Sequence, residues 1–129
     1  MKSRMKSEIT KVSEMYNKYG AKKSCCHYGH KHDSKRESER CEELHLLQRA
    51  HAITNLQVQK KYTLIPPRKY NKMPNERGVE YIADFVYEEN GMLVVEDCKG
   101  YRTKDYIIKR KMFKDKYCAG NENIIFIET

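Results

Sequence analysis

Two aspartates occupy positions where a strand should bury its side chains. Asp84 sits inside Tyr81-Ile82-Ala83-Asp84-Phe85-Val86-Tyr87, and Asp97 ends the run Leu93-Val94-Val95-Glu96-Asp97. Both runs are rich in β-branched and aromatic residues, and Asp is disfavoured in such strands. Between them stands Asn90-Gly91, the strongest short-range signal for a two-residue hairpin turn. That turn pairs Glu89 with Met92 and sets Asp84 opposite Asp97, with Cβ atoms about 4.5–5.5 Å apart. Side chains alternate along a strand, so Lys99 shares the face of Asp97 and Glu96 takes the other face. A longer, four-residue loop shifts the pairing but still keeps Asp84, Asp97 and Lys99 on one side.

Two carboxylates opposed across a hairpin repel one another unless positive charge lies between them. An all-oxygen donor set suits a hard divalent cation, Mg²⁺ or Mn²⁺. A lysine beside such an ion can orient or activate a water, or stabilise charge developing on a phosphate. The plainer alternative is that one aspartate caps its strand or pairs with Lys99 at the surface.

The elements that must position these residues are readable from periodicity and punctuation. A helix is expected over 34–50, with Ser34 as N-cap and Glu37 completing an S-x-x-E capping box. Cys41, Leu44, Leu47 and Ala50 would line one of its sides. A strand over 56–65 alternates Leu56, Val58, Tyr62 and Leu64 with polar residues and stops at Pro66-Pro67. Residues 68–79 are polar and carry Pro74 and Gly78, the composition of a mobile loop. The hairpin strands 80–87 and 92–99 follow, and Gly100 ends the second. A helix over 103–117 starts at Thr103 and turns Tyr106, Ile107, Met112, Phe113 and Tyr117 toward a core, and a strand over 124–127 comes last. The order is α-β-β-β-α-β, which predicts an α/β domain with a mixed sheet flanked by helices.

Charge divides the chain unevenly. The 129 residues carry 26 Lys and Arg against 18 Asp and Glu, a formal net charge of +8. Nearly all of the surplus lies in residues 1–36, which favours a polyanionic partner, nucleic acid being the commonest. A solubilising tail is the bland alternative. Within that region Ile9, Val12, Met15, Tyr16 and Tyr19 have amphipathic helical spacing, and Gly20 would stop the helix. The expected organisation is a basic helix or arm over 1–30 and a domain over 31–129. No apolar run approaches the ~20 residues of a membrane span, and no h-region follows the basic start as a secretory signal requires. Five cysteines without an export signal read as reduced thiols, so the expected location is the cytoplasm.

Asp84 followed by Asp97-Cys98-Lys99 resembles the PD-(D/E)XK nuclease motif in its D…D-x-K form, and the element order is similar to the restriction-endonuclease-like core of that superfamily. A closer resemblance is to a family of small phage and prophage endonucleases. It is carried by Lys18-Tyr19-Gly20-Ala21-Lys22-Lys23, Asp33-Ser34-Lys35-x-Glu37, Leu56-x-Val58-Gln59, Tyr81-Ile82-Ala83-Asp84-Phe85 and Val95-Glu96-Asp97-x-Lys99-Gly100. The resemblance spans about residues 17–128. It implies a metal-dependent DNA endonuclease related to Holliday-junction resolvases, acting on duplex or branched phage DNA in a bacterial host, with a homodimer expected for a junction. By the same resemblance, Asp84, Asp97 and Glu37 would hold Mg²⁺ or Mn²⁺, Lys99 would serve the attacking water or the transition state, and Gln59 would contact metal water or phosphate. Lys18, Lys22, Lys23, Lys35 and Arg36 would bind phosphates, with Lys109 and Lys111 on the helix after the motif. Glu37 has its capping role as an alternative, Gln59 an ordinary solvent-facing one, and the two helix lysines that of solvated charges. A non-catalytic nucleic-acid-binding protein on the same fold is the second reading of the whole, and an interaction module the third.

One segment departs from the family. Residues 24–32 read Ser-Cys-Cys-His-Tyr-Gly-His-Lys-His, with Cys25, Cys26, His27, His30 and His32 inviting a zinc reading. The spacing opposes it, because the two cysteines are adjacent and point apart in an extended chain, while zinc sites use separated ligand pairs. Zinc is therefore not expected here, and Cys41, Cys98 and Cys118 read as small packed side chains.

Overall fold

The structure, a computed structural model, describes residues 24–25, 28–32 and 34–129. The helix expected before Gly20, with Lys18, Lys22 and Lys23, lies outside the described residues, as do Cys26, His27 and Asp33. The chain divides into two compact units, Met1–Ile53 and Thr54–Thr129.

In the first unit β1 (Ser24–Cys25) and β2 (Lys31–His32) form a short antiparallel hairpin. Helix α1 spans Lys35–Arg49. Its start is fixed as the sequence predicts: Ser34 is extended, and its Oγ accepts a hydrogen bond from the Glu37 amide at 3.1 Å. Glu37, Ser38, Cys41 and Leu44 are buried along one stripe. The stripe does not continue to Leu47, which is exposed, as is Ala50. The helix ends one turn later, and Ile53 beyond it is buried instead.

The second unit is built on a four-stranded mixed sheet ordered β3-β4-β5-β6. Its strands are β3 (Thr54–Ile65), β4 (Val79–Glu89), β5 (Met92–Asp97) and β6 (Ile124–Glu128). The first three run antiparallel, and β6 pairs parallel with β5 after the crossover helix α2 (Lys104–Phe113). After the short β1–β2 hairpin, the chain order is therefore αβββαβ, an α/β fold with a mixed sheet. Between β3 and β4 the segment expected as a loop is tied by paired backbone hydrogen bonds between Arg68 and Glu76.

Asn90 and Gly91 both have positive φ, +52° and +77°, the requirement of a two-residue turn matched to strand twist. The register is Glu89↔Met92 through Phe85↔Glu96, as the turn chemistry predicts. Thr103 caps α2 through its Oγ1. The helix ends in a wider π turn over Lys114–Cys118, where the sequence predicts continued α-helix. There Tyr117 and Lys116 both donate to the Thr63 carbonyl, at 2.8 and 3.0 Å, which fastens the helix to β3.

The core of this unit gathers Leu64, Tyr81, Ala83, Val86, Val95 and Phe113. Strict alternation would send Val86 to the side opposite Tyr81 and Ala83, so β4 slips in phase near Asp84. Phe113 is fully buried at the centre, with ring centroids of Tyr62, Tyr81 and Tyr117 at 4.9, 5.1 and 5.2 Å. Among the described residues no helix is long and apolar enough to cross a membrane, and no disulfide joins Cys41, Cys98 and Cys118.

Replacing Phe113 by Ala removes the ring on which four aromatic neighbours pack, Phe126 being the fourth. The expected cost is about 3–5 kcal/mol of unfolding free energy. Urea unfolding should show it as a lower midpoint at an unchanged slope.

Candidate functional site

The phase slip in β4 has a counterpart across the sheet. The β3–β4 ladder runs Val58↔Phe85 and then Lys60↔Ala83, so Gln59 and Asp84 occupy the step between. Gln59 has φ +58°, a left-handed conformation that costs a non-glycine residue about 1–3 kcal/mol and gathers at functional sites. The distortion therefore falls at the aspartate that sequence reasoning singles out, opposite the glutamine it names. Gln59 itself is exposed.

Asp84, Asp97 and Lys99 converge. Lys99 Nζ lies 3.0 Å from Asp97 Oδ1 and 3.9 Å from Asp84 Oδ2. Asp97 is fully buried and Asp84 only 4% exposed, whereas about a quarter of the Lys99 side chain (27%) meets solvent. Each carboxylate has its own support. The Cys98 backbone N–H donates to Asp84 Oδ2 at 2.8 Å, and the Tyr81 hydroxyl donates to Asp97 Oδ2. Asp97 Oδ1 takes no well-directed hydrogen bond among the described residues and faces the ammonium. Two buried carboxylates thus face one ammonium. The all-oxygen donor set of the two carboxylates fits a hard divalent cation.

Residues that sequence reasoning did not assign to the site complete its surroundings. Asp97 and Glu128 are parallel neighbours at the carboxyl ends of β5 and β6. Glu128 accepts from the Tyr106 hydroxyl at 2.6 Å, from Arg110 Nη1 at 3.0 and 3.1 Å, and from Arg102 Nε at 3.2 Å. The Tyr106 ring carries Lys99 Nζ 5.1 Å from its centroid. Burial, reinforced by the charge of Asp97, raises both Tyr81 and Tyr106 well above the ordinary phenol range, so both stay protonated donors. The signal for Tyr81 was its place three residues before Asp84. Glu128 had none, because the parallel β5–β6 pairing is not written locally. On the sheet's other face, as alternation predicts, Glu96 is fully buried and accepts from Tyr87 at 2.8 Å and Thr129 at 3.2 Å.

Lys109 is half-buried and borders a groove of about 350 Å³ with Ile65, Gly78, Glu80 and Ile82. Lys111 is exposed on α2. In the first unit Lys35 and Arg36 are exposed, and Lys35 is 3.9 Å from Glu39. Glu37 is buried there too, and its Oε1 is 2.9 Å from His32 Nδ1. Beside it His30, His32 and Cys41 bring their ligand atoms within 4.8 Å of one another, a group able to hold a metal ion. Looking for ligands only within residues 25–32 hid this group, because its thiol comes from α1.

The chain matches the family described as "Protein of unknown function (DUF1064)" over residues 16–126, and it belongs to that family. No curated protein and no solved structure matches it.

Burial raises the Glu128 carboxyl, but the hydrogen bonds from Tyr106, Arg110 and Arg102 outweigh it and hold the group below the ordinary glutamate range. A depressed folded-state value adds stability that is complete above the unfolded value and fades as pH falls through the folded one. The unfolding midpoint of the wild type should therefore drop as pH falls through and below the ordinary glutamate range. Glu128→Gln should flatten that part of the profile, measured by denaturation at stepped pH.

Proposed function

We propose that this protein is a metal-dependent endonuclease that hydrolyses phosphodiester bonds in DNA, with branched or otherwise structured phage DNA as its substrate. The observation that carries the reading is the pair of buried aspartates facing one lysine, about a quarter exposed, at a distorted step of the sheet. A structural ion pair needs one carboxylate for one ammonium. A second buried carboxylate at the same ammonium lowers stability unless another cation joins it. The resemblance of Asp84…Asp97-Cys98-Lys99 to the D…D-x-K motif supports the same reading.

Asp84 and Asp97 would hold Mg²⁺ or Mn²⁺, which when bound supplies Lewis acidity toward a phosphoryl oxygen and lowers the pKa of a coordinated water. The chain's own residues do the rest. The Cys98 amide fixes the carboxylate of Asp84, and the Tyr81 hydroxyl fixes that of Asp97. Both aspartates therefore present oxygens without first reorganising, which is the condition for electrostatic preorganisation. Lys99 reaches toward solvent, where a phosphate arrives, and its charge stabilises the negative charge that builds on the phosphoryl oxygens. The Tyr106 ring beneath Lys99 restricts where its ammonium can go. Basic residues, with Lys35, Arg36 and Lys111 exposed, would bind the backbone without reading sequence. A homodimer on a junction and a bacterial host cytoplasm belong to the same proposal.

Supercoiled plasmid and a synthetic four-way junction incubated with Mg²⁺ or Mn²⁺ test the activity. Cleavage by the wild type is expected, with loss of at least about a hundredfold in Asp97→Ala, Asp84→Ala and Lys99→Ala. Binding of both DNAs without any cut product would leave the non-catalytic nucleic-acid-binding alternative in its place.

The charge argument has its own readout. A ligand that binds only the folded state raises stability by mass action, so Mn²⁺ should raise the wild-type melting temperature. Asp97→Asn should melt higher than the wild type without metal and lose the response to it. An equal Mn²⁺ shift in both proteins would mean that the ion binds elsewhere.

A further inference from the structure

The His30–His32–Cys41 group lies in the first unit and takes no part in the chemistry proposed above. His30 and His32 are two residues apart, and an extended chain projects such side chains to one side. Cys41 comes from the buried stripe of α1, where it is fully buried, and His32 is 1% exposed. His30 Nδ1 is 3.2 Å from Cys41 Sγ. Ligands at ordinary zinc–nitrogen and zinc–sulfur lengths stand about 3.3–3.8 Å apart around a tetrahedron. That pair stands slightly closer than an ion requires, so a shift of a few tenths of an ångström admits one, and the whole group lies within 4.8 Å.

The surroundings favour the same use. Glu37 Oε1 lies 2.9 Å from His32 Nδ1. A carboxylate on one imidazole nitrogen fixes the tautomer that offers the other nitrogen to a metal, the arrangement that recurs behind zinc-ligating histidines. Glu37 is thus placed to support a histidine. His45 Nδ1 donates to the Cys41 carbonyl at 2.8 Å and its ring stacks on Tyr28 at 3.9 Å, which closes the cluster on its far side. Two imidazoles and a thiolate are a borderline-soft set that Mg²⁺ and Mn²⁺ do not favour and Zn²⁺ does.

We infer that His30, His32 and Cys41 form a structural zinc site that clamps the β1–β2 hairpin to α1, with Glu37 orienting His32. Binding converts the Cys41 thiol to a thiolate and releases its proton to solvent, so affinity rises with pH. The fourth vertex belongs to water. A hairpin of only two residue pairs has little to hold it, and the ion supplies a cross-link that the small local core does not.

Cobalt titration of the purified, zinc-stripped full-length chain tests this without reference to nuclease activity. One equivalent should produce a thiolate-to-cobalt charge-transfer band that one equivalent of Zn²⁺ displaces. Cys41→Ser should abolish the band, and the double variant Cys25→Ser, Cys26→Ser should keep it. Glu37→Gln should keep the band while weakening zinc about 10–100-fold. Circular dichroism shows whether Cys41→Ser is folded, and His30→Ala, at a half-exposed position, should weaken zinc at least tenfold whatever Cys41→Ser does. A wild type without the band, a band that survives Cys41→Ser, or unchanged affinity in His30→Ala would overturn the inference. None of these outcomes bears on the aspartate pair of the second unit.

Discussion

Like charges held in a low-dielectric interior are the constraint around which the second unit is organised. Asp84 and Asp97 are buried, and Lys99 faces both. Every neighbouring group answers to that condition. Tyr81 gives Asp97 a proton donor that burial keeps from ionising, the backbone at 98 gives Asp84 another, and the Tyr106 ring holds the shared ammonium in place. Removing one partner from a buried ion pair usually costs several kcal/mol, because the remaining charge has no water to turn to. Two carboxylates beside one ammonium repel each other, a repulsion that a bound cation would offset.

The backbone shows where the sheet gives way to make room. Gln59 takes a left-handed conformation at the step opposite Asp84, and β4 changes phase there, so that Ala83 and Val86 both reach the core. A regular ladder would have kept strict alternation through Asp84. On the other side of β5 the parallel strand β6 brings Glu128 beside Asp97, where two arginines offset its charge and Tyr106 donates a hydrogen bond to it. Three acidic side chains thus crowd one end of the sheet.

Much of this was legible in the sequence because the determinants are local. Asn90-Gly91 specifies a two-residue turn, the turn specifies register, and register with alternation places Asp84, Asp97 and Lys99 on one side. Ser34 and Thr103 likewise announce their helices by side-chain chemistry that acts within three residues. What was hidden depends on contacts distant in sequence. Parallel pairing of β5 with β6 is set by how α2 packs through Phe113, so Glu128 could not be tied to Asp97 beforehand. The His30–His32–Cys41 group joins a hairpin to a helix, and no spacing rule within residues 24–32 could reach the thiol. The π turn after Phe113 follows from fastening Tyr117 and Lys116 to β3, against a helical periodicity that otherwise runs on. Leu47 is exposed because burial along α1 ends at Leu44, a matter of packing and not of pattern.

Cys98 stands between the aspartate and lysine of the motif, and the contact it makes with Asp84 is through its main-chain amide. The middle letter of D-x-K is thus recognised by its peptide group. Nineteen of the twenty coded amino acids carry that hydrogen; proline, whose ring nitrogen has none, would leave the Asp84 oxygen without its donor. The side chain at 98 answers to a separate demand, since it is 7% exposed with Sγ 3.0 Å from Thr129 Oγ1. Variation at this position is therefore limited by volume on one account and by imide chemistry on the other, and the two limits can be told apart by comparing alanine, leucine and proline there.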